Sequence, residues 1–398
     1  MTAETGLPLS GVRVVEFVHM VMGPSCGLVL ADLGAEVIKV EPLAGDNTRR
    51  LAGSGAGFFP AFNRNKKSLA IDMKAPAGRA VIARLVQSAD VITENFRPGA
   101  MAKLGLDYPS LSKGNPRIIY CSHKGFLSGP YEERTALDEV AQMMGGLAYM
   151  TGPPGRPLRA GSSVNDIMGG MFGAIGILAA LRERERTGLG QEIRSALFEN
   201  TAFLVGQHMA QYVVTGKPAN PMPARLAAWA VYDVFDTKDG QQVFVAVVSD
   251  TQWKLFCDAF EQPALLADTS LATNPQRVHA RDRLIPQVRE IFGRYTKPEL
   301  MAKCEMTGLP FAPITRPEEL FDDPHLNAAG GLAEITLPDG RKTKLPALPL
   351  EMKGRRLGVR QDVPRSGEHS RDVLIGLGYS LAEIERLLSD KVIAVAGE

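Results

Sequence analysis

Apolar runs and helical stretches alternate from residue 12 to residue 121, and this alternation constrains the fold more than any other feature of the chain. Residues 12–18 form an apolar run. Residues 25–33 read as a helix stopped by Gly34, a usual left-handed terminator, and Glu36–Glu41 reads as a second strand. Strand 68–72, helix 76–88 and strands 90–93 and 117–121 follow. Such alternation means βαβ units, a parallel sheet and right-handed crossovers. The predicted class is α/β.

A second constraint is the glycine-dense run 167–181, entered through Ser162-Ser163-Val164-Asn165-Asp166. A helix apolar on every side is expected to lie buried in a large core. The run is too short and glycine-rich to read as a membrane span. Helix reaches to about Glu185, turns at residues 187–190, and leads into another strand-then-helix passage. The proline-rich stretch 217–223 marks a boundary. Beyond it, 230–236 and 241–248 flank Thr237-Lys238-Asp239-Gly240, an Asp-Gly hairpin turn. Helices continue to about Cys304, a second boundary falls near Asp323, and Ser380 with Glu383 forms a capping box for a terminal helix.

Length and composition fit a soluble protein of two domains, or of one large domain with an insertion: 398 residues, 45% hydrophobic and 22% charged. A net charge of +1 argues against a nucleic acid or a membrane as the main partner. The four cysteines stand far apart and read as reduced thiols of a cytoplasmic protein. Residues 1–6 lack the pattern of a signal peptide.

Glu41, at the end of the second strand, sits where a ribose-binding acid belongs. However, His19-Met20-Val21-Met22-Gly23-Pro24-Ser25 has one glycine where a dinucleotide turn needs three. A nicotinamide cofactor is thereby disfavoured, while a phosphate-bearing ligand at helix N-termini is still expected. Glu94-Asn95-Phe96-Arg97-Pro98-Gly99 sets an amide, an aromatic plane and a guanidinium at a strand's C-terminal end, with Arg49, Arg50, Arg64, Lys66, Lys67, Lys74 and Lys103 as further cations. His19 and His123 lie outside zinc spacing and read as structural, and no metal site is expected. Asp166 reads either as a helix cap or as a fixed nucleophile, with Asp138 as a possible second acid.

Taken in order, these segments resemble family III CoA-transferases, the group that includes crotonobetainyl-CoA:carnitine, formyl-CoA:oxalate and succinyl-CoA:glutarate enzymes. The resemblance is carried by residues 9–16, 30–41, 62–68 and 94–99, the stretch around Asp166, and residues 187–191 and 237–240. It implies an open Rossmann-like large domain from both chain ends (1–200 and 330–398) and a smaller α+β domain (225–325). Linkers at 201–224 and 326–330 and an interlocked homodimer are implied as well.

It further implies that Asp166 attacks an acyl-CoA, passing through aspartyl anhydride and aspartyl-CoA thioester states. Gly169 and Gly170 would admit the pantetheine. The implied CoA contacts are His19, Met20, Ile71, Lys74, Asn95, Phe96, Arg97 and Lys103. No metal or redox cofactor is implied.

Three positions depart from relatives. Leu137 replaces the histidine that α-methylacyl-CoA racemases need, which disfavours racemisation. Val21 stands where formyl-CoA transferases carry glutamine, and no glycine run occurs in the small domain. Residues 225–232 replace a small, glycine-containing segment and are expected to shape the acyl pocket. A small dicarboxylate is the expected acceptor, with Arg64 or Arg225 as candidate holders of its distal carboxylate. The alternatives are a racemase and a non-catalytic CoA-binding module.

Overall fold

A computed structural model of the chain describes residues 6–225 and 227–397. The N-terminal reading at residues 1–5, and Leu226 within the 225–232 segment, lie outside that range. The chain divides into two compact units, one running to Pro223 and resuming at Pro324, the other spanning Ala224–Asp323.

The larger unit is built on a central sheet whose strands are β1 (Arg13–Phe17), β2 (Glu36–Glu41), β3 (Lys66–Ile71), β4 (Val91–Glu94), β5 (Ile119–Lys124) and β6 (Glu192–Ala196). They lie in the order β3-β2-β1-β4-β5-β6 and pair in parallel throughout. The short strand Ile393–Ala394 adds antiparallel to β3 at one edge. Chain order reverses between β1 and β4. In open α/β sheets the crevice beyond such a reversal is where ligands bind.

Helices cover both faces because central strands of a parallel sheet must be buried on both sides. On one face, α1 (Met22–Asp32) and a long helix pack over Val14, Val37, Val91, Ile119 and Cys121. On the other, α2 (Pro76–Gln87) and the C-terminal helices Ser370–Gly376 and Leu381–Ser389 enclose Val15, Ile38, Leu69, Ile71 and Ile92. Helix α1 starts at Met22, so Gly23 and Pro24 belong to its first turn, where a missing proline N–H costs nothing.

After α3 (Asp138–Met144) comes the glycine-rich helix α4 (Val164–Thr187), followed by α5 (Leu197–Thr215). Three expectations change here. At 24 residues, α4 is long and apolar enough to cross a membrane by length and composition alone. It is also not buried all round. Gly169, Gly170, Gly173, Ala174, Ile177 and Ala180 face the protein, while Met171, Ile175 (58% exposed) and Leu178 face outward. Residues 197–215 form a helix of the larger unit, so the span 201–224 does not stand apart as a linker.

The smaller unit has an antiparallel sheet of β7 (Val231–Asp236), β8 (Gln242–Val247) and β9 (Phe311–Pro313). Its helices close an aromatic core of Trp253, Phe256, Phe260 and Phe292.

Candidate active site

The loops leaving β1 and β4 meet at the point where strand order reverses. The Asn95 amide spans the His19 backbone, its Oδ1 accepting from His19 N–H at 3.0 Å and its Nδ2 donating to His19 C=O at 2.8 Å. The His19 and Phe96 rings lie 5.9 Å apart. Met20, at φ 64°, is in the left-handed region, and its N–H donates to Thr48 Oγ1 at 3.0 Å. Four of the expected CoA contacts, His19, Met20, Asn95 and Phe96, are thus brought together.

The remaining four are placed differently. Ile71 is 2% exposed, and its side chain packs in the core between sheet and α2. Strand β3 needs an apolar residue there on burial grounds alone. Lys74 and Lys103 are exposed, each next in sequence to a residue (Met73, Leu104) that packs with Phe96 on the same apolar core. Arg97 lines a cleft of about 270 Å³ with Glu94, Tyr120, Ser122 and Lys124.

Most of the other cations near the strand ends are committed to ion pairs. Arg64, 2% exposed, pairs with Asp32 at 2.7 Å, which removes it as a holder of a substrate carboxylate. Lys66 pairs with Glu16 at 2.9 Å with both side chains fully buried. Arg49 pairs with Glu41 at 2.6 Å, and this gives the suspected ribose acid a structural role instead. Burying such charges is tolerable only because each is paired and hydrogen-bonded.

Asp166 lies in the first turn of α4 and is only partly buried. Ser163, at the cap position, makes no side-chain capping bond. The cap comes from elsewhere in the chain. Asp138, 8% exposed on α3, accepts from Asn165 N–H at 3.0 Å and from Asp166 N–H at 3.2 Å with a single oxygen, Oδ2. Its Oδ1 accepts from Gln142 and faces Arg159 at 3.5 Å. Among the described residues no group donates to the Asp166 carboxylate. The two sequence readings therefore separate, with Asp138 doing the capping and Asp166 free of that duty.

Partial burial, and then the Asp138 charge, push the Asp166 carboxyl from an ordinary 3.8 up to about 7, against the opposing charges of Arg159 and His123. A carboxylate in that range can exist in either form near neutrality, a common property of functional sites.

The glycines behind Asp166 serve the fold. A Cβ on Gly170 would lie 2.0 Å from Ser25 Oγ and 2.5 Å from Met22 O, and one on Gly169 would lie 2.4 Å from Met22 Cε. They admit α1, not a pantetheine arm, which corrects the sequence expectation. Ser195 Oγ also donates to Gly169 C=O at 2.8 Å.

Several residues of this region were not foreseen. Arg159 is the cation nearest the Asp138 cap. Asn165 donates to Thr201 Oγ1 at 2.6 Å, while its Oδ1, the Asn200 Nδ2 and the His123 Nδ1 are buried without partners. His123, read as structural, is the penultimate residue of β5, beneath α4, with Cε1 2.5 Å from where a Gly173 Cβ would stand. Its place at a strand's C-terminal end was the signal available for it.

The matches to known proteins agree with this arrangement. The model of CoA-transferase family III matches residues 9–370. The chain is similar to a succinate–glutarate CoA-transferase of Agrobacterium fabrum, 37% identical over 93% of this chain and 96% of the relative. It is similar as well to a succinyl-CoA:glutarate CoA-transferase of Mus musculus, 33% identical over 97% and 90%. A succinyl-CoA–D-citramalate CoA-transferase of Chloroflexus aurantiacus is 32% identical over 97% and 98%. Among solved structures, a CaiB/BaiF family protein from Brucella suis superposes with a TM-score of 0.82 at 34% identity, covering 93% of this chain and 99% of that one. With a parallel sheet open at its point of reversal, an unencumbered carboxylate on a capped helix, and relatives matched nearly end to end, the chain belongs to CoA-transferase family III and is a CoA-transferase.

Proposed function

We propose that this protein moves CoA from a succinyl-CoA-like donor to the free carboxyl of a small dicarboxylic acid, with Asp166 as nucleophile. The observation that carries the reading is the Asp138 cap, which leaves the Asp166 carboxylate without a hydrogen-bonding task at a helix N-terminus. An Asp166 oxygen attacks the donor thioester carbonyl, the C–S bond breaks, and CoA leaves as thiolate. The thiolate attacks the Asp166 carbonyl of the mixed anhydride and releases the donor acid. The acceptor carboxylate then attacks the aspartyl thioester, forming a second anhydride and freeing the thiolate. Attack of that thiolate on the acceptor's acyl carbon restores Asp166 and yields the new acyl-CoA. Each step exchanges one activated acyl bond for another, so no outside energy source is required. The N-terminal end of α4 carries the partial positive charge that favours the oxyanions formed at Asp166.

CoA is assigned to the reversal-point crevice, with Phe96 and the His19–Met20 loop on its inner side and Lys74, Arg97 and Lys103 as cations for its phosphates. The dicarboxylate preference rests on the relatives, whose names specify glutarate, citramalate or malate. Racemisation is the weaker reading, because the residue before Asp138 is Leu137, which has no proton to exchange. Outward-facing Met171, Ile175 and Leu178 on α4, together with Phe203, Val213 and Val214 on α5, support a homodimer, interlocked as the resemblance implies. Incubation with succinyl-CoA and glutarate, malate, citramalate or oxalate, followed by mass detection of new thioesters, tests the reading. It fails if no acid in the panel becomes a thioester.

A further inference from the structure

The loop after β1 is held by side chains from three other segments. Lys39, fully buried on β2, donates from Nζ to Val18 C=O at 2.6 Å. Asn95 takes both His19 backbone groups. Thr48, 2% exposed, accepts from Met20 N–H, while its hydroxyl donates to Asp46 Oδ1 at 2.8 Å. Asp46, also buried, pairs with Lys39 at 3.0 Å and receives Thr48 N–H at 2.9 Å. Its own N–H donates to Glu41, which Arg49 and Ser68 hold in turn. The circuit closes on itself: Lys39 to Asp46 to Thr48 to Met20, and Lys39 back to Val18.

This arrangement is more than a loop anchor. A non-glycine residue in the left-handed region is strained, and such strain persists only where the surroundings over-determine it. A glycine-rich turn would reach the same backbone shape without support. Here a methionine is kept in it by buried, charged partners, and its side chain stays 38% exposed at the crevice.

We propose that Lys39, Asp46 and Thr48 are positioning residues for coenzyme binding, fixing the His19–Met20 backbone in its ligand-ready shape before any acyl-CoA arrives. The proposal rests on the assignment of CoA to this crevice. It extends that assignment to three buried residues that touch no substrate. Asn95 joins them, since both ends of its amide are spent on His19. Preorganisation of this kind removes an ordering cost from binding without altering the chemical step.

The test uses the full-length protein. Thr48→Val keeps the shape and removes the hydroxyl; Thr48→Ser keeps the hydroxyl. With CoA as the titrant, Thr48→Val should raise Kd about 5–10-fold and raise the KM for succinyl-CoA equally, as loss of one buried hydrogen bond would do. Its kcat and its KM for the acid should stay put, and Thr48→Ser should match wild type within about twofold. An unchanged Kd in Thr48→Val, a fall in kcat alone, or equal failure of both variants overturns the proposal.

Hydrogen exchange of the wild-type peptide covering residues 18–21, without ligand, provides a readout independent of how the variants fold. Protection of the His19 and Met20 amides is expected, and rapid exchange overturns the clamp. If wild type neither binds CoA nor transfers it, the functional reading fails while the exchange result still judges the clamp.

Discussion

Asp166→Asn separates the catalytic from the structural role of this residue more cleanly than any other substitution. The variant keeps the side-chain volume and the backbone N–H that Asp138 receives, but it can neither ionise nor form an anhydride. In the folded protein the carboxyl titrates at about 7 against an ordinary 3.8. The folded state therefore binds the proton more tightly than the unfolded chain, and ionising the group costs stability. That cost is absent well below pH 4, grows between about pH 4 and 7, and is constant above. At about 1.4 kcal/mol per pH unit between the two values, its ceiling is about 4 kcal/mol. Screening at a partly exposed position brings the expected cost to about 1–3 kcal/mol. At pH 8 the variant should therefore be the more stable protein, melting about 2–5 °C higher. The difference should shrink toward zero by about pH 4. Thermal and urea denaturation from pH 4 to 8.5, run beside the transfer assay, read both quantities. A variant that is less stable at pH 8, a difference that ignores pH, or normal turnover would each refute the reasoning.

Further outcomes are expected. Transfer by wild type should rise with pH through about 7 as Asp166 ionises, and Asp138→Asn, by removing the charge that helps hold that value up, should move the rise to lower pH. A pH–rate profile checks both. Gly170→Ala should destabilise by about 1–3 kcal/mol or more through collision with Ser25 and Met22, readable as a lowered denaturation midpoint. Arg97→Ala and Lys103→Ala should each weaken CoA binding by about 1–3 kcal/mol if they meet phosphate. Ile71→Ala should instead cost about 2–5 kcal/mol of stability, and calorimetric titration with CoA beside urea melts separates the two behaviours.

The central sheet was readable because parallel strands buried on both faces appear as unbroken apolar runs, as in Val37-Ile38 and Val91-Ile92, with Gly34 closing the helix between the first two. For Asp166 the residues alone left cap and nucleophile both open, because acids are common in the first turn of a helix, and the nucleophile reading came from the family resemblance. What escaped is tertiary. Asp138 caps a helix that begins 26 residues later, and neither residue type nor spacing announces it. Arg64 looks like a ligand-binding cation until the fold brings Asp32 against it. The glycines of α4 were read as room for a ligand when they are room for another helix, because periodicity shows that a face is small but not what lies across from it. The outward face of α4 is apolar as well, so hydropathy could not tell its buried side from its exposed one.

The close seat of α4 on α1 also bears on how the enzyme can move. Met22 and Ser25 fit where side chains on Gly169 and Gly170 would be, so no layer of atoms separates the two helices. Asp166 stands at the start of one, and the other begins two residues after Met20. The distance between Asp166 and the loop after β1 is therefore set by the contact of α4 with α1. In the reaction proposed for Asp166, the travelling falls to the sulfur at the end of its flexible arm and to the exchanging acids. The protein acts as a ruler of fixed length, and any conformational cycle it has must lie in what closes over that ruler.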